Sequence, residues 1–372
     1  MLSPYERVLL ALLGKEPDEV PLFIGAFAIN GIPQLEKSPN RGYSGYDPKM
    51  DPKKRMELSV EFTVNFAKSF PQVCTSGSAS TSLPLGSLLA RKWGREVVYV
   101  ESDRGGFSFT KPLLRDLREA DRLEVPDLEK EPEMEERLHT LEHTLERDRE
   151  AFSGLEGHLT SGLQGWSGSR VVEACIDQGL VEYNTFLMGM RLFPEKVHHM
   201  VEVMTEYVIQ TLRLNQSVLG KISKLTLNDH SPTFMSRSQF EEFWLPYVTR
   251  VNRAFSGAIH IYHNEGEILR LVDLLPKAAF DAYEVGPETD IGKVKEIVGS
   301  QLCLIGNLDP VDLLPNGNPE DIEREVKRII EKAAEGGRFI LSTGGGPPRT
   351  AAPLRNWEAM IRACQAYGKY PV

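Results

Sequence analysis

Apolar positions along the chain change period repeatedly. Short runs rich in aliphatic and β-branched residues occur at 20–27 (VPLFIGAF), 157–166 (GHLTSGLQGW), 222–230 (ISKLTLNDH), 258–266 (AIHIYHNEG), 280–286 (FDAYEVG), 302–310 (LCLIGNLDP) and 338–346 (RFILSTGGG). Polar or glycine-rich residues follow each run. Between the later runs lie stretches with helical spacing, such as 193–220 and 318–337. Strand-length runs alternating with helices predict βαβ units and a parallel sheet. From residue 222 onward the runs recur roughly every 20–35 residues, the interval expected of a (β/α)8 barrel. The 318–337 stretch carries its own limits: Asn318 as N-cap, Pro319 at the first helical position, acids in the first turn and Gly336 past the end. The expected fold is α/β, a single (β/α)8 TIM barrel forming one domain over 1–372, with N-terminal and 92–157 elaborations. Residues 92–114 alternate like a hairpin, and the charge-rich 116–157 stretch reads as helix with a solvated outer face.

Composition narrows the function. An apolar content of 41% and a charged content of 26% are those of an ordinary globular protein. A formal charge of −10 with no basic run argues against nucleic acid as a partner. No apolar run approaches the ~20 residues of a membrane span. The opening MLSPYERVLLALLGKEPDEV is interrupted by Glu6, Arg7, Lys15 and Glu16, which predicts an amphipathic helix rather than a signal peptide, and a cytoplasmic location. Cys74, Cys175, Cys303 and Cys364 lie far apart and predict separate thiols rather than a disulfide framework.

Catalytic groups of such barrels sit at the C-terminal ends of the strands. Those positions read Asn228-Asp229-His230, His263-Asn264-Glu265, Tyr283-Glu284, Asn307 with Asp309, and Ser342 through Gly346. Five consecutive strand ends of this kind predict one shared pocket. If the strand continues through Glu265, His263 and Glu265 share a face, because strand side chains repeat every second residue. Zinc needs a third protein ligand, which Asp229 could supply. No thiolate is placed to help, so zinc is not the favoured reading and no metal ligand is assigned. STGGGPP (342–348) lacks the Lys-Ser/Thr of a Walker loop and is read either as a tight turn or as close backbone approach to a bulky ligand.

LPLGSLLARKWGREV, MSRSQFEEFWLPYVTRVNRAF, LCLIGNLDPVDLL, NPEDIEREVKRIIEKAAEGGRFILSTGGG and NWEAMIRACQAYG resemble the uroporphyrinogen decarboxylase superfamily, most clearly after residue 190. The resemblance implies a single (β/α)8 barrel. It also implies either porphyrinogen decarboxylation or methyl transfer in partnership with a corrinoid protein. The decarboxylases carry an Arg-Gln-Ala-Gly-Arg-type segment after the first strand, where this chain reads FIGAFAINGIP (23–33) with no arginine. Burying an octa-acid without cationic partners is costly. The histidine of the family's late Leu-Gly-His-Gly-type segment is also missing from ILSTGGG. The thiol methyltransferases use zinc held by His-x-Cys and by a later Gly-Cys-Gly. Here those positions are His263-x-Glu265 and Gly345.

The resemblance therefore implies a corrinoid-dependent methyltransferase that demethylates a methyl ether. The methyl group would pass to Co(I) of a separate corrinoid protein, since the chain has no Asp-x-His-x-x-Gly segment of its own. A phenoxide leaving group has a conjugate acid near ~10, so a proton donor beside the oxygen is expected. Asp229, His263 and Glu265 are the candidates. Phe23, Phe27, Ile29, Tyr283 and Glu284 are expected to bind a small-molecule methyl donor, with an aryl ether best suited to the aromatic positions. His230, Asn307, Ser342, Gly344, Gly345 and Gly346 are expected to face the cobalamin. Two alternatives stand beside this reading. One is a methylcobamide:thiol methyltransferase with a rearranged zinc site, and the other a non-catalytic corrinoid-binding module.

Overall fold

The computed structural model describes residues 2–25, 52–76, 93, 97–100, 106–109, 112–160, 165–177, 179–345 and 352–370. Its strands are β1 (Phe23–Ile24), β2 (Cys74–Thr75), β3 (Val97–Val100), β4 (Gly106–Phe109), β5 (Gly165–Ser169), β6 (Lys224–Asn228), β7 (Ile259–Asn264), β8 (Ala282–Val285), β9 (Cys303–Leu308) and β10 (Phe339–Thr343). β5 through β10 form one parallel sheet in chain order. β1 and β2 pair in parallel. A bridge from Leu22 to Leu341 links that pair to β10, and one from Thr75 to Leu159 links it to the segment leading into β5. Eight parallel strands thus follow one another in chain order, the arrangement of a (β/α)8 fold, with single bridges rather than full ladders at two seams. β3 and β4 form the antiparallel hairpin expected within 92–114.

All seven apolar runs contribute strands or lead into one. β2 was not foreseen, because two residues carry no period.

Side-chain alternation divides the strands between two cores. Leu225, Leu227, Tyr262, Tyr283, Leu304, Phe339 and Leu341 join the large core beneath the surrounding helices. Cys74, Ile261, Ala282, Cys303, Ile305 and Ile340 form a second cluster with Val8, Ala11 and Leu12 of α1 (Pro4–Leu12). α1 starts with a capping box between Ser3 and Glu6 and is pinned by Arg7, whose Nε donates to Asp18 at 2.6 Å. It closes the apolar end of the strand interior.

The later helices follow the sequence pattern. α2 is Pro52–Ser69, α3 Pro132–Ala151, α4 Tyr183–Leu192, α5 Pro194–Leu219, α6 Leu245–Ala254, α7 Ile291–Val298, α8 Pro319–Ala333 and α9 Leu354–Tyr367. Asn318 caps α8 by accepting the Asp321 N–H at 2.9 Å, and Gly336 beyond it has φ 74°. α3, in the charged 116–157 stretch, is not wholly solvated. It packs against α2 and α5 and buries Met134, Arg137, Thr144 and Asp148. All four cysteines are buried and unpaired with one another. Burial pushes the Cys74, Cys303 and Cys364 thiols up to about 12. Among the described residues no helix is long and apolar enough to cross a membrane.

Candidate functional site

One step along the strands from the apolar cluster, the same inward face becomes polar. Asn228, His263, Glu284, Asn307 and Ser342 each stand two positions beyond Thr226, Ile261, Ala282, Ile305 and Ile340. Register sets their neighbours: His263 lies opposite Asn228 on β6 and Glu284 on β8. That pairing brings His263 Nδ1 to 2.9 Å from Glu284 Oε2. On its other side His263 Nε2 is 3.8 Å from Glu265 Oε1. Burial opposes charging the His263 imidazole, but Glu284, by charge and hydrogen bond, and then Glu265 outweigh it and raise the group above its ordinary value.

His230, two residues past β6, sets its ring at 87° to that of His263, with centroids 5.6 Å apart. Glu173, four residues past β5, holds it. One carboxylate oxygen accepts the His230 backbone N–H at 2.6 Å and lies 3.1 Å from Nδ1. Burial opposes ionising Glu173, but its contacts with His230 pull it below the usual carboxylate value. Arg170 faces the same cluster, already held by Asp177 and with its Nε 4.0 Å from Glu173. Ligand atoms of His230, His263 and Glu265 lie within 4.8 Å of one another. Two imidazoles and a carboxylate are a donor set that fits a divalent metal ion.

Other expected residues are placed differently. Asp229, expected as a proton donor and weighed as a third ligand for a zinc ion that was not favoured, is fully buried. One oxygen accepts N–H groups of Val172 and Glu173 at 2.9 and 3.1 Å, and the other accepts the Ser231 hydroxyl at 2.5 Å. Burial and then the charge of Glu173 push its carboxyl up, against the pull of those bonds. Asp229 ties the β5 and β6 ends together, and the third donor is its neighbour His230. Tyr283, expected to touch substrate, is fully buried and stacks on Tyr262 in the outer core. β8 directs Tyr283 outward and Glu284 inward, since they are adjacent.

Phe23 packs on the apolar cluster above α1, away from the polar end. Asn307 donates to the carbonyls of Gly286 and Thr289 and so fastens the loop after β8. Asp309 accepts the Val311 and Asp312 N–H groups of a turn. Ser342 is buried. A Cβ at Gly344 would meet Pro287, and one at Gly345, where φ is 124°, would lie 2.6 Å from Glu265 Oε1. Gly345 thus lies against Glu265 and leaves room for its carboxylate. Phe27, Ile29 and Gly346 lie outside the described residues.

Two residues of the site had no place in the sequence reading. Glu173 follows a strand whose polar end was not counted, although Arg170 and Glu173 together were a visible signal. Phe234, in the turn after β6, is exposed and meets Tyr183 edge-on at 5.2 Å between centroids. Among the described residues the buried Tyr183 hydroxyl has no hydrogen-bond partner.

The uroporphyrinogen decarboxylase (URO-D) family pattern matches residues 86–367, most of the chain. The chain belongs to the URO-D family. Among its relatives, a methylated-thiol–coenzyme M methyltransferase of Methanosarcina mazei is 26% identical over 172 residues, which is 46% of this chain and 45% of that enzyme. The chain therefore aligns with under half the length of that relative. A uroporphyrinogen decarboxylase of Xanthomonas axonopodis pv. citri is 26% identical over 344 residues, covering 89% of this chain and 88% of the relative. A solved methyltransferase from Methanosarcina mazei shares the fold of this URO-D family member, with a TM-score of 0.68 and 19% identity over 99% of both chains.

Proposed function

We propose that this URO-D family protein is a methyltransferase that removes the methyl group of a methyl ether, an aryl ether for preference, and delivers it to Co(I) of a corrinoid carried by a partner protein. The observation that carries the reading is the His263 cluster at the polar end of the strands. It sets an imidazole between two carboxylates, Glu284 at 2.9 Å and Glu265 at 3.8 Å. Co(I) is itself a strong nucleophile, so the protein's task is the leaving group. A Co(I) corrinoid, when bound, would supply the nucleophile for the methyl carbon; the C–O bond pair would leave with the oxygen, and the protein's residues must neutralise that oxygen. His263 and Glu265 replace Asp229 as the groups that meet it. General acid help of this kind contributes about 10²–10⁴ in rate. The exposed Phe234 and the Tyr183 ring beside it supply the aromatic contact for an aryl ether. Were a metal ion resident at His230, His263 and Glu265, it would supply Lewis-acid stabilisation of charge at the same place.

A second reading, methyl transfer to a thiol at a rearranged metal site, is favoured by that donor set and by the similarity to the methylated-thiol–coenzyme M methyltransferase. Anaerobic incubation with cob(I)alamin and a panel of methyl donors separates the two. Aryl ethers should convert the Co(I) spectrum to that of methyl-Co(III). Methylation of a thiol by methylcobalamin, with no response to any ether, would replace the first reading by the second.

A further inference from the structure

Helix α3 lies outside the strand-end site, yet it carries a motif of its own. Residues 139–146 read HTLEHTLE, one tetrapeptide twice in tandem. Helix positions four apart lie on one face, one turn above another. His139 and His143 are therefore neighbours, with ring centroids 4.7 Å apart and planes tilted by 34°. Both face solvent, with 70% and 69% of their side chains exposed. In each unit the glutamate three residues on stands beside its own histidine. Glu142 Oε2 is 3.8 Å from His139 Nδ1, and Glu146 Oε2 is 3.8 Å from His143 Nδ1. Glu135 and Glu136, one turn earlier on the same exposed face, add to its negative charge.

Ion pairs at this spacing support a helix only weakly, and a lysine in place of either histidine would do so with a permanent charge. What an imidazole adds is a nitrogen lone pair. A carboxylate beside Nδ1 favours the tautomer with its proton there, which leaves Nε2 as the donor on the opposite edge. Two such donors at i and i+4 make the chelate by which a pair of helical histidines takes up zinc. Donors on a tetrahedral ion with bonds of ~2.0–2.1 Å stand roughly 3.4 Å apart. Rings as close and as exposed as these reach that separation by small side-chain rotations.

We propose that His139 and His143 form a surface site on α3 for one divalent ion of the zinc, nickel and copper class, with Glu142 and Glu146 as positioning residues. Imidazole donors suit these ions rather than calcium or magnesium, which prefer an all-oxygen shell. Water completes the coordination, and the acidic face concentrates cations around it. The ion bridges two successive turns of the helix that packs against α2 and α5. Binding therefore orders α3 and has no part in the chemistry at the strand ends.

The test uses the full chain stripped of metal. Zn²⁺ is added while hydrogen exchange is followed in Pro132–Ala151, and Cu²⁺ serves as a paramagnetic probe. Expected are slower exchange in α3 and a Cu²⁺ spectrum with nitrogen hyperfine coupling. His139→Gln and His143→Gln should each weaken binding here roughly 10²-fold, the cost of losing one arm of a chelate. Glu142→Gln combined with Glu146→Gln should weaken it about 10-fold. An ion held at the strand ends gives no protection in α3, so the readout separates the two places. Both histidines lie on the face opposite the buried residues of α3, so their variants should keep the parent's metal-free melting temperature and methyl-transfer rate. Exchange in α3 that ignores Zn²⁺, or protection that survives either histidine variant, would overturn the site. Binding untouched by the double glutamate variant would overturn the role given to Glu142 and Glu146.

Discussion

The same strands build two unlike layers. Toward α1 the inward residues are Ile261, Ala282, Ile305 and Ile340, packed into a dry cluster. Two residues further along, the inward residues are His263, Glu284, Asn307 and Ser342. Backbone geometry is shared, so the difference lies in side chains and their surroundings. The lower layer is closed by a helix and contributes burial. The upper one keeps carboxylates and imidazoles in contact, at the cost of their hydration, and only mutual pairing makes that tolerable. Within one strand, stability and chemistry are thus separated by about 7 Å of rise.

That separation can be broken from either side. The largest effect is expected at His263. His263→Gln should lower ether-dependent methyl-Co(III) formation by roughly 10²-fold or more, with little change in melting temperature. A matching loss of rate and of melting temperature would show that His263 belongs to the structural layer instead. Ile340→Ala, in the lower layer, should lower stability by about 2–5 kcal/mol. Denaturant titration measures it, and turnover per folded molecule should persist. A selective loss of turnover at unchanged stability would end the division of labour proposed for the two layers.

Asp229 tests the seam between site and scaffold. Asp229→Asn turns an amide toward N–H donors of Val172 and Glu173, a buried mismatch worth about 1–3 kcal/mol. Activity should fall only as far as folded protein does. If instead rate drops in fully folded Asp229→Asn protein, Asp229 regains a place in the chemistry.

The smallest effect concerns α1 and pH. The hydrogen bond from Arg7 holds the Asp18 carboxyl below its ordinary value of 3.8. A depressed folded-state value means the contribution is complete above the unfolded value and is lost as pH falls through the folded one. Asp18 is partly exposed, so the pair contributes no more than about 1 kcal/mol. Asp18→Asn should therefore be less stable than the parent at neutral pH, and the gap should narrow below about pH 4. An unchanged gap at low pH would exclude the ion pair as its source.

Much of the barrel was legible because each strand is a short apolar run bounded by turn residues, and because α8 announces both ends with Asn318, Pro319 and Gly336. β2 was not, since two residues cannot show alternation. The polar strand ends were legible as well, and His263 with Glu265 stood out by spacing. Their partners were not. Glu173 lies 57 residues from His230 in the chain, and Glu284 lies 21 from His263. Asp229 and His230 illustrate the limit best. They are adjacent and both polar, and nothing local says which turns into the backbone and which toward His263.

By itself the sequence determined the order of strands and helices, the polar character of the strand ends, and the loss of both thiolate positions at residues 265 and 345. These follow from period, from turn chemistry and from side-chain identity, all of which act locally. Only the tertiary structure decided that Asp229 is a tether, that Tyr283 faces the outer core, and that His230 and His263 meet Glu265 with a carboxylate behind each ring. Those outcomes depend on strand register and on close approach between distant segments, such as Gly345 against Glu265. Register is a relation between strands, set by the packing of the whole ring, and no single segment contains it.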